Sequence, residues 1–496
     1  MSKSKTKLTE LAESLSDRTD LDPNDWSIFR NDAHRILDDM IDYIEGIRGR
    51  AVWSKMPDEL RNGFREPLPG PERELSSVHT EFMETVLPYA VGNVHPRFMG
   101  WVHGGGNPVG MVGEMVAAGL NANLGGRDHA PIEVERQVVR WFADLFGFPA
   151  TATGLLLTGS SIANFIAVLV ARVAALGPDV RSSGIGDRPL VAYASKAVHA
   201  CVPRALDMAG FGSDAFHPVD VDEAGGMDLA ALANAVARDR EGGRRPFLVV
   251  GTAGSVDTGA IDDLFGISRL CRREGLWFHV DGAIGALGML SPALRPRLAG
   301  LEQADSVAFD FHKWGQIPYD AGCIIVRDGE AQKSTFATDA AYLRRELRGL
   351  GGGELWPCDL GPDLSRGFRA LKVWYTLKVL GADRIGAAIE RTCALARYLS
   401  MRIDGEAELE RMAPTPLNIV CFRYRFPADS DRQTVELAAD IQESGIAVLS
   451  TTRIGLNTVL RCAIVNHRTR VEDVDAVVDA VLVLGRQRAT LERDRF

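Results

Sequence analysis

The chain has 496 residues with 56 Lys+Arg against 66 Asp+Glu, a formal net charge of −10. With 46% hydrophobic and 25% charged residues it can bury a large core, and at roughly 150 residues per domain the length allows about three domains. The charges are interspersed without long single-sign runs, which excludes a protein that grips a nucleic-acid backbone through a concentrated basic face.

Residues 1–90 read as an N-terminal helical arm. The polar start Met1-Ser2-Lys3-Ser4 runs into a charged helical pattern rather than an apolar signal segment, so the expected location is the cytoplasm. Phe29, Ile36, Leu37, Met40, Ile41, Ile44 and Ile47 fall at helical intervals, with Asp22-Pro23-Asn24-Asp25 as turn and cap before them. Helices with so little core need the main domain or another subunit to pack against. From 91 to 380, short apolar runs alternate with helical stretches. Pro189–Tyr193, Pro246–Thr252, Trp277–Val280 and Ser306–Phe309 predict strands, and Ser161–Leu176, Leu229–Asp239 and Ile261–Glu274 predict helices. That alternation gives a large α/β domain with a mostly parallel sheet covered on both faces, whose ligands sit beyond the C-terminal strand ends.

A long helical stretch (365–380, then 385–403) leads into 381–496, a small C-terminal α+β domain. Its strands are expected near Asn418–Tyr424, Ala447–Ser450 and Val459–Val465, and its closing helices at Asp431–Ser444 and Val471–Leu484. The longest apolar run, Phe165–Leu176, contains Arg172 and falls short of the ~20 residues a membrane span needs. Glycine is in excess, 50 residues, and the runs Gly104–Gly106 and Gly351–Gly353 read as flexible loops. The seven cysteines are scattered with no CxxC pair, so neither a disulfide framework nor a metal centre is expected.

Four strand-end features carry chemistry. In Phe309-Asp310-Phe311-His312-Lys313-Trp314 a lysine follows an apolar strand; apolar surroundings depress an amine pKa and suit it to Schiff-base chemistry, whereas alone it reads as a surface lysine. Asp281, in Trp277-Phe278-His279-Val280-Asp281, ends a buried strand and needs a cationic partner such as a protonated pyridine nitrogen, unless it caps a helix. Thr158-Gly159-Ser160-Ser161 opens a helix with exposed amides and hydroxyls, a phosphate site or simply an N-cap. His199 follows another strand, either as a core histidine or as a ring that stacks on a flat cofactor. Phosphate loop, histidine, aspartate and lysine in that order match what pyridoxal 5′-phosphate requires: an anchored phosphate, a sandwiched ring, a protonated ring nitrogen and a tethered aldehyde.

Carrying these motifs, the chain resembles the group II pyridoxal-phosphate decarboxylases, the family of aromatic-L-amino-acid and glutamate decarboxylases, over nearly its whole length. His95-Pro96-Arg97-Phe98, the segment from Asn123 to Phe148, Thr252 to Ala260, His279 to Ala283, Asp305 to Trp314, Arg369 to Trp374, and Leu460 to Thr469 are similar to the family's motifs. The resemblance implies fold type I with a seven-stranded, mostly parallel sheet, and a homodimer with sites at the subunit interface. It implies that Lys313 forms the Schiff base, Asp281 pairs with the ring nitrogen, and His199 and Ala283 pack on the two ring faces. Gly159, Ser160 and Ser161 then hold the phosphate, with His312 and Asp310 beside it, and Thr252 lies near the substrate carboxylate. Tyr342 aligns with a loop tyrosine that returns a proton to the substrate carbon after carbon dioxide leaves. Asp310 stands where some relatives have asparagine, so a carboxylate beside a phosphate needs a neutralising neighbour.

The implied reaction is decarboxylation of an L-amino acid to an amine. Phe98, Trp101 and His103 suggest an aromatic side chain if they are not merely core packing, and the resemblance implies that Ser365 leans toward a phenolic ring. An acidic substrate calls for a dedicated arginine, which the sequence does not place. An aldehyde synthase, the oxidative relative in which the loop tyrosine or stacking histidine is replaced, and another fold type I carbon–carbon lyase are the alternatives; retention of Tyr342 and His199 favours simple decarboxylation. His103-Gly104-Gly105-Gly106 matches a hydrolase oxyanion string, but no Gly-x-Ser-x-Gly elbow accompanies it, and no Gly-x-Gly-x-x-Gly follows the first strand.

Overall fold

The computed structural model describes residues 7, 20–339, 344–353 and 355–493. They fall into two compact units, one within Met1–Gly46 and Met56–Ala90 and the other within Ile47–Lys55 and Val91–Phe496. In the first unit α1 (Trp26–Glu45) starts at Asp25, whose carboxylate accepts from the Ser27 and Ile28 N–H groups at 2.7 and 3.2 Å, the cap expected from the turn sequence. Short α2 (Asp58–Gly63) and α3 (Leu75–Thr85) follow, and His79 of α3 bonds Asp39 of α1 at 2.8 Å. No residue of α1 is buried, and its Trp26, Ile28, Phe29 and Ile41 remain exposed. The segment 47–55, read as part of the arm, packs in the second unit instead: Val52 bonds the Gly445 carbonyl and is buried with Phe98 and Val448.

In the second unit α4 (Pro108–Leu120) and α5 (Ala130–Leu145) precede a seven-stranded sheet of order β1-β7-β6-β5-β4-β2-β3. Its strands are β1 (Thr153–Leu157), β2 (Leu190–Ser195), β3 (Phe216–Val219), β4 (Arg245–Thr252), β5 (Trp277–Asp281), β6 (Ser306–Asp310) and β7 (Gly322–Val326). Pairings from β3 to β6 are parallel, and β7 runs antiparallel to both β6 and β1. Between strands come α6 (Ser160–Leu176), α7 (Cys201–Met208), α8 (Leu229–Glu241) and α9 (Leu264–Glu274). Strand side chains alternate, so Ala308 faces α6 with Ile166 and Val170, while Phe309 turns to Phe142 of α5 and to Phe146 just beyond it. Each buried Ile, Val or Phe among these contributes about 1.5–3 kcal/mol.

After α10 (Arg369–Leu380) and α11 (Ala382–Asp404), a second sheet of order β10-β11-β9-β8 is antiparallel throughout, built from β8 (Leu409–Arg411), β9 (Ile419–Tyr424), β10 (Ser450–Ile454) and β11 (Asn457–Ala463). Together with α12 (Ser430–Glu443) and α13 (Val471–Arg493) it encloses a separate core that includes Leu399, Phe422, Leu437, Leu460 and Val477. Met99 is buried there and exchanges backbone bonds with Val448 and Ala463 at 2.8 Å, which anchors the strand-like segment leading to residues 101–106. Gly104–Gly106 is not the flexible loop expected. The Gly104 carbonyl accepts from Asn93, the Gly105 N–H donates to Gln316, and a Cβ on Gly104 would lie 2.3 Å from the His312 carbonyl oxygen, so only glycine can pass here. Among the described residues no helix is long and apolar enough to cross a membrane.

Candidate active site

Because β7 reverses between β6 and β1, the C-terminal ends of β1, β2, β4, β5 and β6 share one edge of the sheet. Their loops surround a cavity of about 450 Å³ walled by Lys313, Asp281, His199, Gly159, Ser160, Ser161, Thr252, Ala283, Asp310 and His312, and by Trp101 and His103 at the rim. A larger cavity, about 540 Å³, beside Ile132, Arg136 and Leu355, is lined by no lysine or histidine.

At the end of β6 the buried Asp310 carboxylate accepts from the Ser160 N–H and hydroxyl, both at 2.7 Å, and from the Lys313 ammonium at 2.8 Å. Burial pushes the Asp310 carboxyl up, but Lys313, His312 and these donors outweigh it and hold it below the usual range. Burial likewise pushes the Lys313 amine down, and the adjacent Asp310 with Asp281 more than reverses that, so its pKa is raised. The depressed amine expected from apolar surroundings is therefore corrected: a carboxylate three residues back, turned onto the amine after β6, decides the sign. The same contact supplies the neutralising neighbour that Asp310 was expected to need. His312 accepts the Ala321 N–H at Nδ1 (3.0 Å), which leaves a ring proton on Nε2, and burial lowers its pKa.

Asp281 has different company. Its Oδ1 accepts the Ala283 N–H at 3.1 Å and its Oδ2 the Asn164 side-chain amide at 3.2 Å, and among the described residues it forms no ion pair. Burial raises its pKa despite the pull of Lys313. His199 accepts the Cys201 N–H at Nδ1 (3.2 Å), and burial lowers its pKa against the pull of Asp281. Thr252 is fixed by its backbone N–H to Asp262 at 2.7 Å, and its buried Oγ1 has no partner among the described residues. Gly322 of β7 lies so close to the Gly159 loop that a Cβ there would come 2.4 Å from the Gly159 Cα.

At the rim His103 stacks on Phe98 (ring centroids 5.7 Å) and meets Tyr319 edge-on at 6.0 Å. Phe98 itself is buried one layer behind His103, bridged to Val448, and does not line the cavity. Ser365 is exposed and also outside the wall; its neighbour Arg366 turns inward to Glu135 instead. Tyr342 lies outside the described residues. Residues that sequence reasoning missed are Asn164, Tyr319, whose ring centroid is 4.3 Å from that of His312, and Arg461 in the wall. The Arg461 guanidinium donates to the carbonyls of Val256 and Gly100, so this arginine serves the backbone. The alternation Trp277, His279, Asp281 on one strand face was the available signal for a polar layer beneath the cavity.

The donor set fits a flat phosphorylated aldehyde: an amine, an imidazole N–H and, among the described residues, a buried carboxylate lacking a cation and the N-terminus of α6 with Ser161 free of partners. Residues 57–425 match the family described as the pyridoxal-dependent decarboxylase conserved domain. The chain is 31% identical to the aromatic-L-amino-acid decarboxylase of Bacillus atrophaeus over 92% of its own length and 95% of that protein. It is 27% identical to phenylacetaldehyde synthase of Arabidopsis thaliana, covering 90% and 93% of the two chains. Among solved structures it is similar to the glutamate decarboxylase domain of diaminobutyrate-pyruvate transaminase and L-2,4-diaminobutyrate decarboxylase from Vibrio parahaemolyticus, with TM-score 0.83, 26% identity, and coverage of 92% and 96%.

Proposed function

The chain belongs to the pyridoxal-dependent decarboxylases, and from that premise we propose that its substrate is an aromatic L-amino acid, released as the amine and carbon dioxide. Its cofactor is pyridoxal 5′-phosphate, which when bound supplies an aldehyde to capture the amine and an electron-withdrawing ring to accept the electrons left by the departing carboxylate. The observation that carries the reading is the convergence of the Lys313 amine and the buried, cation-free Asp281 carboxylate on one cavity. In this reading Lys313 tethers the cofactor and yields to the substrate amine. Asp281 holds a proton on the ring nitrogen, and His199 and Ala283 pack on the ring faces. The amides of Gly159 and Ser161 with His312 Nε2–H receive the phosphate, Ser160 stands beside them donating to Asp310, and Thr252 Oγ1 meets the substrate carboxylate. Tyr342 returns the proton to the α-carbon.

The wall supports the substrate class. A second amine, as in diaminobutyrate, needs a carboxylate of its own, yet of the two aspartates in the wall Asp310 is paired with Lys313 and Asp281 is given in this reading to the ring nitrogen. An acidic side chain needs a free guanidinium, and Arg461 is engaged with carbonyls. Trp101, His103 and Tyr319 instead offer flat aromatic surface. A homodimer is proposed from exposed Met115, Val116 and Leu120 on α4 and from an α1 without buried residues, both needing cover. A cytoplasmic location is supported by seven buried, unpaired cysteines. A screen of amino acids for carbon dioxide release, with pyridoxal phosphate added, tests the proposal: release from aromatic substrates with stoichiometric amine is expected. Release from diaminobutyrate or glutamate alone overturns the substrate class, and aldehyde with ammonia in place of amine overturns simple decarboxylation.

A further inference from the structure

Behind Asp281 lies a line of polar side chains in an otherwise apolar interior. Trp277, His279 and Asp281 share one face of β5, Ser306 stands opposite His279 in β6, and Asn164 lies near the start of α6. Asn164, His279 and Ser306 are buried. The Trp277 indole Nε1–H reaches Ser306 Oγ at 2.9 Å, Ser306 Oγ lies 2.8 Å from His279 Nδ1, His279 Nε2 lies 2.7 Å from Asn164 Oδ1, and Asn164 Nδ2 reaches Asp281 at 3.2 Å.

The two ends force the direction of every link. An indole can only donate and a carboxylate can only accept. Asn164 must therefore turn Nδ2 to Asp281 and Oδ1 to His279, which assigns the imidazole proton to Nε2 and leaves Nδ1 to accept from the Ser306 hydroxyl. Nδ1 also lies 3.1 Å from the Ser306 carbonyl, but a proton there would leave His279 Nε2 and Asn164 Oδ1 as two facing acceptors. Burial lowers the His279 pKa to about 3, so the ring stays neutral and the chain carries dipoles only. We propose that Asn164 is a positioning residue for Asp281, held in its donating orientation by the relay from Trp277 through Ser306 and His279. A neutral donor stabilises the carboxylate without supplying a cation that would compete with a ring nitrogen for it. The inference rests on the reading that Asp281 faces that nitrogen.

The test uses the holoenzyme reconstituted with ¹⁵N-ring-labelled pyridoxal phosphate. In the parent enzyme the ring nitrogen is expected to be protonated near neutral pH. Asn164→Ala removes the amide donor of Asp281 and His279→Leu frees it from its fixed orientation, so the carboxylate becomes more basic, the proton moves from nitrogen to carboxyl oxygen and the resonance shifts toward the unprotonated position. kcat is expected to fall roughly 10- to 100-fold with little change in KM. His279→Gln, which can still present an N–H to Asn164, should restore both. An unchanged ¹⁵N signal in folded Asn164→Ala and His279→Leu overturns the relay. If either fails to fold, Ser306→Ala carries the test, with a smaller shift in the same direction expected and no shift counting against it. Asp281→Ala separates the underlying reading: a ring nitrogen unaffected by that change means Asp281 is not its partner.

Discussion

Asp310 and Asp281 end neighbouring strands of one sheet and line the same cavity, both buried, yet their carboxyl groups are driven in opposite directions. Asp310 faces an ammonium and two Ser160 donors, and these overcome the cost of desolvation. Asp281 faces one backbone N–H, one amide and the weak Cys201 thiol donor, and desolvation wins. Equal burial therefore says little about a carboxylate; the charge of its nearest partner decides. The difference also sorts the two ends of the cavity. One carboxylate has its cation within the chain, and the other has none among the described residues, the place that the proposal above gives to a pyridinium nitrogen.

The largest effect should come from removing the shared cation. Lys313→Ala is expected to lower decarboxylation by on the order of 10³-fold or more and to abolish the visible absorption of lysine-bound cofactor; an active variant sinks the Schiff-base assignment. It should also erase the contrast, leaving both aspartates raised by burial. Next in size, Asp281→Asn should slow turnover by roughly 100-fold without destabilising the cofactor-free protein to urea. The fold raises the Asp281 pKa, so its ionised form costs stability at neutral pH. Relief in the variant should shrink as pH falls through the folded value and vanish where both states are protonated.

Asp310→Asn should behave oppositely. A depressed carboxyl contributes stability above the ordinary carboxylate range and loses it as pH falls through its folded value, so the cofactor-free variant should lose about 1–2 kcal/mol near neutrality. With one negative charge removed beside the phosphate, cofactor affinity by fluorescence titration should rise; a weaker affinity contradicts the placement of the phosphate. The smallest effect is expected for Thr252→Val, which deletes an unpartnered hydroxyl. Folding stability should change by less than about 1 kcal/mol, while KM rises several-fold if that hydroxyl meets the substrate carboxylate.

Much of this arrangement is legible in the chain. β4, β5 and β6 are covered on both faces and so appear as largely apolar runs, broken within β5 by His279. β3 carries His217 and Pro218 at the sheet edge, and β7 returns antiparallel without a helix before it, so neither stands out by alternation. β10 lies at Ser450–Ile454 rather than the apolar run 447–450, because an edge strand of the small sheet exposes alternate residues such as Thr451 and Arg453. Helix α10 begins at Arg369, leaving Ser365 in the preceding loop. The strand-end lysine, aspartate and histidine were readable from position alone. The Lys313 pKa was not, since it depends on how the turn after β6 folds Asp310 back. Asn164 escaped notice because its role depends on partners more than a hundred positions away.

The account stands or falls on whether Asp281 is the carboxylate that the cofactor completes. Infrared titration of its carboxyl stretch, identified by its loss in Asp281→Asn, measures this directly. The expected result is a midpoint above the ordinary carboxylate value in the cofactor-free protein, falling when pyridoxal phosphate binds, with Asp310 below the ordinary value in the cofactor-free protein. An Asp281 midpoint unmoved by the cofactor would contradict it.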